Sequence, residues 1–245
     1  MKIICCSFGV ECGRSWWNMQ KINILGIELT DYSLKESLLL LDGYVGGGGL
    51  NTILYITAPM LIMAGENEEE KKEIESMDMT LCGDADILKV AEIHSVSRQY
   101  EVENMVFLKE FLRRLARSGK RVYLLAESEE ETGVLREELE AFQTGILVGG
   151  SGVIADGEEE LEEVINRIND IAPTAIISRI APGIQERWMI KAKPFANAEV
   201  WLGISKDMIL GGAREPFRKK VTDKIYKGIF HRRMSRFRDE NERGE

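Results

Sequence analysis

Cysteine, proline and histidine are scarce in this 245-residue chain, which has four Cys, five Pro and two His. Cys5, Cys6, Cys12 and Cys82 show no paired CxxC spacing, and neither His94 nor His231 lies close to a cysteine pair, so a structural zinc site is not indicated. With three of the four cysteines inside the first twelve residues, no disulfide framework is legible, and a reduced, cytosolic protein is the better expectation. Long apolar runs are also missing: nothing approaches the roughly 18 to 20 residues of a membrane-spanning helix. The short apolar start, Met-Lys-Ile-Ile-Cys-Cys, precedes Glu11 and Arg14 without a small-residue cleavage site and makes a poor signal peptide. Residues 1–20 read as a leader outside the fold, with Met19 as an alternative start.

What is present suits one large α/β domain. Hydrophobic residues make up 44% and charged residues 30%, ordinary values for a globular chain long enough to bury a full core. The net charge of −9 hides an asymmetry. Between Arg214 and Arg238 ten Lys and Arg face only Glu215 and Asp223, which makes this tail +8 and leaves −17 on the rest. Basic ends of this kind meet phosphate, on nucleic acid or on an anionic membrane. The strongly acidic domain argues against nucleic acid.

Apolar β-type runs at 22–29, 51–57, 79–82, 122–125, 145–148, 175–178 and 199–203 alternate with helical patterns, the signature of βαβ units. The expected fold is Rossmann-like: a largely parallel sheet flanked by helices, with a basic helical C-terminal appendage. Residues 21–213 form the α/β domain and 214–245 the tail. Ser33 is the expected N-cap of a helix over 34–41, and Pro59 opens one helix reaching about residue 77. Further helices are expected over 102–118, 130–142 and 158–171. The glutamate-rich stretches 127–131 and 158–163 read as solvated helix starts and are given no chemistry. Gly46 to Gly49 precedes a strand rather than a helix and reads as a flexible connection. The Gly149-Gly150-Ser151-Gly152 run lacks GxGxxG spacing and is a weak dinucleotide signal.

The segment with most chemical content runs from Pro173 to Trp188, where an apolar strand enters a Pro-Gly turn and then Gln185 and Glu186. In open α/β sheets ligands bind outside the carboxyl ends of strands, so this pair is either a candidate site or part of an ordinary β-turn-α connection. Asp84 and Asp86 follow another short strand. Asp84 is either a helix cap or a carboxylate able to take a proton from an attacking hydroxyl. Their i, i+2 spacing also matches a DxD pattern for a divalent cation on a diphosphate, a three-residue signal that arises easily by chance. Arg98, in a polar loop before the next helix, offers a fork for a diphosphate or is a plain surface charge.

The order of these pieces resembles the WecG/TagA/CpsF glycosyltransferases over residues 21–217. Ile-Asn-Ile-Leu-Gly-Ile-Glu-Leu at 22–29 and the Leu-rich helix after it are similar to the family's start, and Pro59 opens the helix after its Thr-x-Asn strand end. Asp84 falls on the aspartate of its Asp-Gly motif, and Arg98 on an arginine before a Gly-Asp pair, with Glu103 in place of that acid. Arg121 to Ala126 resembles its strand ending in glycine, Gln185-Glu186 ends its Gly-x-Pro-x-Gln-Glu motif, and Leu202 to Asp207 with Gly211 resembles its Gly-x-x-Phe-Asp segment. The chain departs from the pattern at Thr57-Ala58, where the asparagine is absent, and at Ala85, Ala126, Ala181-Pro182-Gly183 and Lys206.

The resemblance implies inverting transfer of an N-acetylhexosamine-type sugar from a UDP donor to a polyprenyl-diphosphate-linked saccharide during bacterial cell-surface polysaccharide synthesis. Asp84 would be the general base, Arg98 would steady the departing UDP, and Thr57, Gln185, Glu186 and Asp207 would bind substrate, without a required metal or other cofactor. It also implies a cytoplasmic protein, peripheral at the inner face of the membrane. Tyr226, Phe230, Met234 and Phe237 recur at helical spacing in the tail, so residues 214–238 would lie on an anionic membrane. Alternatively these apolar residues dock on the protein's own core or on a neighbouring subunit of a homo-oligomer. A non-catalytic relative that binds a sugar nucleotide or a protein partner is the competing reading.

Overall fold

The computed structural model describes residues 19–154, 160–206, 208, 210 and 217–244. β1 (Gln20–Ile24) and β2 (Ile27–Asp31) pair antiparallel, so the single strand expected over 22–29 is a hairpin. Leu25 and Gly26 both take positive φ, 55° and 81°, as a two-residue hairpin turn of right-handed twist requires. α1 (Leu34–Tyr44) starts as expected at Ser33, whose hydroxyl and the Glu36 carboxylate form a reciprocal capping box.

The main sheet comprises β3 (Asn51–Ile56), β4 (Met79–Cys82), β5 (Arg121–Ala126), β6 (Leu147–Val153), β7 (Ala175–Arg179) and β8 (Val200–Gly203). All neighbouring strands run parallel, in the order β4-β3-β8-β7-β5-β6. Its strands are apolar almost throughout because both faces are covered. Leu54, Ile56, Tyr123, Leu125, Ile176 and Trp201 point into one core, and Ile53, Tyr55, Val122, Leu124, Ile177 and Leu202 into the other. The 149–152 glycine run lies within β6 rather than in a loop. A methyl group on Gly150 would come within 2.4 Å of Ile171 Cδ1 and 2.9 Å of the Tyr123 ring, so close packing explains this glycine.

Two long helices expected from periodicity are each divided. The stretch after Pro59 becomes α2 (Ala58–Ala64) and α3 (Glu68–Glu75), with Asn67 capping the second through a bond from the Glu69 amide. The helix expected over 102–118 is split between the end of α5 (Val96–Glu103) and α6 (Val106–Arg117), with a short α4 (Ala85–Val90) ahead of them. Met105, at φ 47°, breaks α5 from α6. Arg98 therefore lies on a helix and not in a loop. α7 (Glu129–Phe142), α8 (Glu160–Ile171) and α9 (Ile184–Ala192) complete the crossovers.

α10 (Phe217–Gly244) forms the tail, and it docks on the domain against α2 and α4. Phe230 and Met234 are buried in the core, and the half-buried Phe237 packs against it, whereas Tyr226 is exposed. The expected apolar stripe thus covers the chain's own surface. Its basic residues meet the acidic domain: Lys227 pairs with Asp86 at 2.9 Å, Arg233 with Glu66 at 2.7 Å and Arg238 with Glu92 at 2.7 Å. Among the described residues, no helix is long and apolar enough to cross a membrane.

Candidate functional site at the carboxyl edge of the sheet

The connection from β5 to β6 runs toward one side of the sheet and that from β7 to β8 toward the other. α7 packs into one core and α9 into the other, so the carboxyl ends of the adjacent β5 and β7 form a topological switch point, where open α/β sheets place their ligand crevice. Glu127 follows β5, Ala181 follows β7 and Lys206 follows β8. Lys206 Nζ donates to Glu127 Oε2 and, at 3.1 Å, to Glu131 Oε1. Glu127 Oε1 in turn accepts from the Ala181 amide at 2.5 Å, which ties three strand ends together. Burial alone would lower the Lys206 pKa, but the hydrogen bonds it donates to both glutamates raise it above its ordinary value. Neither Glu127 nor Lys206 was assigned a role from sequence; a strand-end acid facing a cation 79 positions away has no local signal.

Toward β3 and β4 the same edge gathers Thr57, Gly83, Asp84 and Ser205. Thr57 is buried at the N-cap of α2, with its hydroxyl 3.4 Å from that of Ser205. The Gly83 amide donates to the Ile56 carbonyl at 2.7 Å. A methyl group on Gly83 would meet Met208 Sδ at 3.1 Å and Thr57 Cγ2 at 3.3 Å, which places these residues against one another. Asp84 caps α4, accepting from the Asp86 amide at 2.9 Å through Oδ1. Asp84 is thus a helix cap, the first of the two sequence readings, and it stands just past the end of β4. Burial pushes its pKa up, against the Asp86 amide bond and the charges of Lys227 and Lys89, which lower it.

Asp86 differs from its neighbour. It is buried and held by Lys89 at 2.7 Å and Lys227 at 2.9 Å; burial raises its pKa, the two ammonium groups lower it, and the balance lies below the ordinary value. Two cations on Asp86 oppose the paired use of Asp84 and Asp86 for a divalent ion. Among the described residues, no group of three or more His, Cys, Asp or Glu is arranged to hold a metal.

Gln185 and Glu186, on the first turn of α9, are only 1% and 2% exposed and therefore lie beneath the surface at this edge. Trp201 Nε1 donates to Ser178 Oγ at 2.8 Å, and that hydroxyl donates to Gln185 Oε1 at 2.8 Å. A methyl group on Gly203 would come within 2.9 Å of Gln185 Nε2, so the absence of a side chain there lets the amide lie on β8. Glu186 turns the other way. Its Oε2 accepts from the Gly183 amide at 2.6 Å, whereas Oε1 is buried without a hydrogen-bond partner. Burial pushes its pKa up to about 7, with Glu73 and Glu70 of α3 adding to the rise. The positive φ of Gly183, 79°, is needed to turn the chain into α9 here.

Arg98 is engaged elsewhere. Its Nη2 and Nε bond both carboxylate oxygens of Asp31 at 2.6 and 3.2 Å, and Nη1 bonds Glu101 at 2.5 Å. Glu101 also accepts from the Leu34 amide at 3.1 Å, so the cluster fastens α5 to the hairpin and to the start of α1. In this arrangement the fork expected for a diphosphate already holds two carboxylates. Asp207 lies outside the described residues.

No curated protein matches the chain. A sequence model of the glycosyl transferase WecG/TagA/CpsF family matches residues 22–208, from the hairpin through the end of the carboxyl-edge cluster. That span covers the whole parallel sheet and every strand end described above, and the chain belongs to the WecG/TagA/CpsF glycosyltransferase family.

Proposed function

We propose that this transferase moves an N-acetylhexosamine-type sugar from a UDP donor to a polyprenyl-diphosphate-linked saccharide at the carboxyl edge of the sheet. The observation that carries the reading is Asp84: a carboxylate at a strand end, following the Gly83 that packs on Thr57, with its pKa raised by burial. A raised pKa strengthens a base that is still ionised at working pH. In the inverting step the acceptor oxygen attacks the anomeric carbon, the bond to the UDP oxygen breaks, and the hydroxyl proton passes to Asp84. Gln185 and Glu186 serve by fixing the first turn of α9 under the crevice. Arg98 serves by holding the hairpin, and would reach a diphosphate only by releasing Asp31 or Glu101.

The lipid-linked acceptor places the work at the cytoplasmic face of the bacterial membrane. With Phe230 and Met234 turned inward, the outward face of α10, with exposed Arg232, Arg236 and Ile229, is the surface proposed to meet anionic lipid. Arg232→Glu with Arg236→Glu is expected to reduce sedimentation with anionic liposomes, and unchanged binding excludes this face.

A second reading, a relative that binds sugar nucleotide without turnover, is favoured by the engagement of Arg98 and of Lys206 with carboxylates. A thermal-shift panel of UDP-sugars, followed by UDP release with acceptor present, separates the two. Asp84→Asn is expected to keep donor stabilisation and lose UDP release by about 10²–10⁴-fold, the usual worth of a positioned base. A fully active Asp84→Asn enzyme sinks the assignment of the base, and stabilisation of the wild type without turnover favours the binding module.

A further inference from the structure

A second concavity lies at the opposite edge of the sheet, where the strands begin. Its cavity volume is about 420 Å³, and its walls are the end of α1 (Leu41, Val45), the last turns of α6 (Phe111, Leu115) and Thr174 ahead of β7. This size falls within the roughly 300 to 1,000 Å³ of small-molecule sites, which are mainly apolar with a few placed polar groups. From Lys120 on its rim to Glu127 at the other end of β5 is seven residues, roughly 23 Å at about 3.3 Å per residue. A ligand in this groove is therefore not in the transfer crevice.

The charges around it are uneven. Asp42, the acid on the rim, is held by Arg114 at 2.5 Å, so its charge is already matched. Arg117 and Lys120 are exposed, and neither side chain makes an ion pair among the described residues. The segment 113–121 carries Arg113, Arg114, Arg117, Lys120 and Arg121 and no acid, in a chain of net charge −9. Cations suit the carbonyl end of α6 in any case. What the helix end does not account for is an apolar hollow directly beside two cations that lack partners.

We infer that this groove binds a single-chain amphiphile with an anionic head, its chain across the exposed Val45 above the buried floor of Leu41, Phe111 and Leu115, and its head at Arg117 and Lys120. Neutralising the head at a rim in contact with water leaves the chain to displace water from the apolar walls, so both parts of such a ligand are matched. Inorganic phosphate lacks the chain, and an alcohol of the same length lacks the charge.

The full chain titrated calorimetrically with dodecyl phosphate, below its micelle concentration, is expected to show saturable binding, with dodecanol and inorganic phosphate each weaker. Arg117→Glu with Lys120→Glu is expected to weaken dodecyl phosphate by about tenfold or more, the scale of one charge-assisted contact. Val45→Trp, a change at a partly exposed lip residue that leaves the core intact, is expected to weaken it by filling the groove. Equal binding by the wild type and both variants overturns the inference, as does equal affinity for dodecanol or for inorganic phosphate. The charge-reversal pair lies on exposed positions, so the test stands even where the tryptophan variant folds poorly.

Discussion

Replacing Glu186 by glutamine removes a charge from the α3–α9 interface while leaving an oxygen to accept from the Gly183 amide. The native carboxyl has a pKa near 7 against an ordinary 4.5, chiefly because burial disfavours the charged form. Glu70 and Glu73 of α3 face it, and Glu73, itself raised first by burial, also feels Arg187 and Lys191. The folded protein holds the Glu186 proton more tightly than the unfolded chain. Stability is therefore highest when the group is protonated and falls as pH rises between about 4.5 and 7, by at most about 1.4 kcal/mol per pH unit. The accumulated penalty approaches about 3 kcal/mol above pH 7. Glutamine cannot ionise, and its buried NH₂ carries a cost that does not change with pH. The stability of Glu186→Gln relative to wild type is thus expected to improve by about 2 to 3 kcal/mol between pH 5 and pH 8. Urea unfolding followed by tryptophan fluorescence at four pH values measures it, since Trp188 lies on the same helix. Parallel free-energy profiles, within about 0.5 kcal/mol across the range, would refute the reasoning.

Three other substitutions probe the remaining devices. Arg98→Ala strands Asp31 and Glu101 in a largely buried cluster and is expected to cost about 3–5 kcal/mol in denaturant unfolding; a loss under about 1 kcal/mol would mean the cluster does not fasten the hairpin. Ser178→Ala leaves the Trp201 indole N–H and the Gln185 carbonyl oxygen without the hydroxyl between them, at about 1–3 kcal/mol for each group left unpaired, read as a lowered unfolding midpoint. Phe230→Ala removes the fully buried ring of α10, a change worth about 3–5 kcal/mol. Because that ring fastens one helix to the domain, trypsin is expected to cut α10 well before the domain unfolds, and wild-type cleavage kinetics would contradict its docking role.

The parallel sheet was legible because its strands are buried on both faces and read as continuous apolar runs separated by helical periods. Boundaries failed where a local backbone choice overrode periodicity. Leu25 takes φ 55° in the hairpin turn, Asn67 caps a new helix inside a charged stretch, and Met105 adopts φ 47° between two helices of similar pattern. None of these residues is a glycine or proline, the usual punctuation of a chain. At the candidate site, the placement of Asp84 and the Gln185-Glu186 turn could be read because each sits just past a strand visible in the sequence. Their surroundings could not, since Ser178 reaches Trp201 across 23 positions and Arg98 reaches Asp31 across 67.

The charge asymmetry of the chain is where structure changes the inference most. A segment of +8 beside −17 on the rest of the chain suggested an external anionic partner. The same numbers equally describe two complementary surfaces of one molecule, and the second description accounts for more of the geometry. Lys227, Arg233 and Arg238 occupy successive turns of α10 on the side that also buries Phe230 and Met234, and each finds a carboxylate on α4 or on the loops that end α2 and α4. A membrane-seeking helix would instead present its cations and its apolar stripe together to the outside. The apolar stripe is the deciding feature: charges at the rim of a helix can be shared between a domain and a lipid surface, but a phenylalanine ring fully buried against α2 and α4 cannot be in two places. Any contact of α10 with a bilayer must therefore use its outward basic face while the helix stays docked.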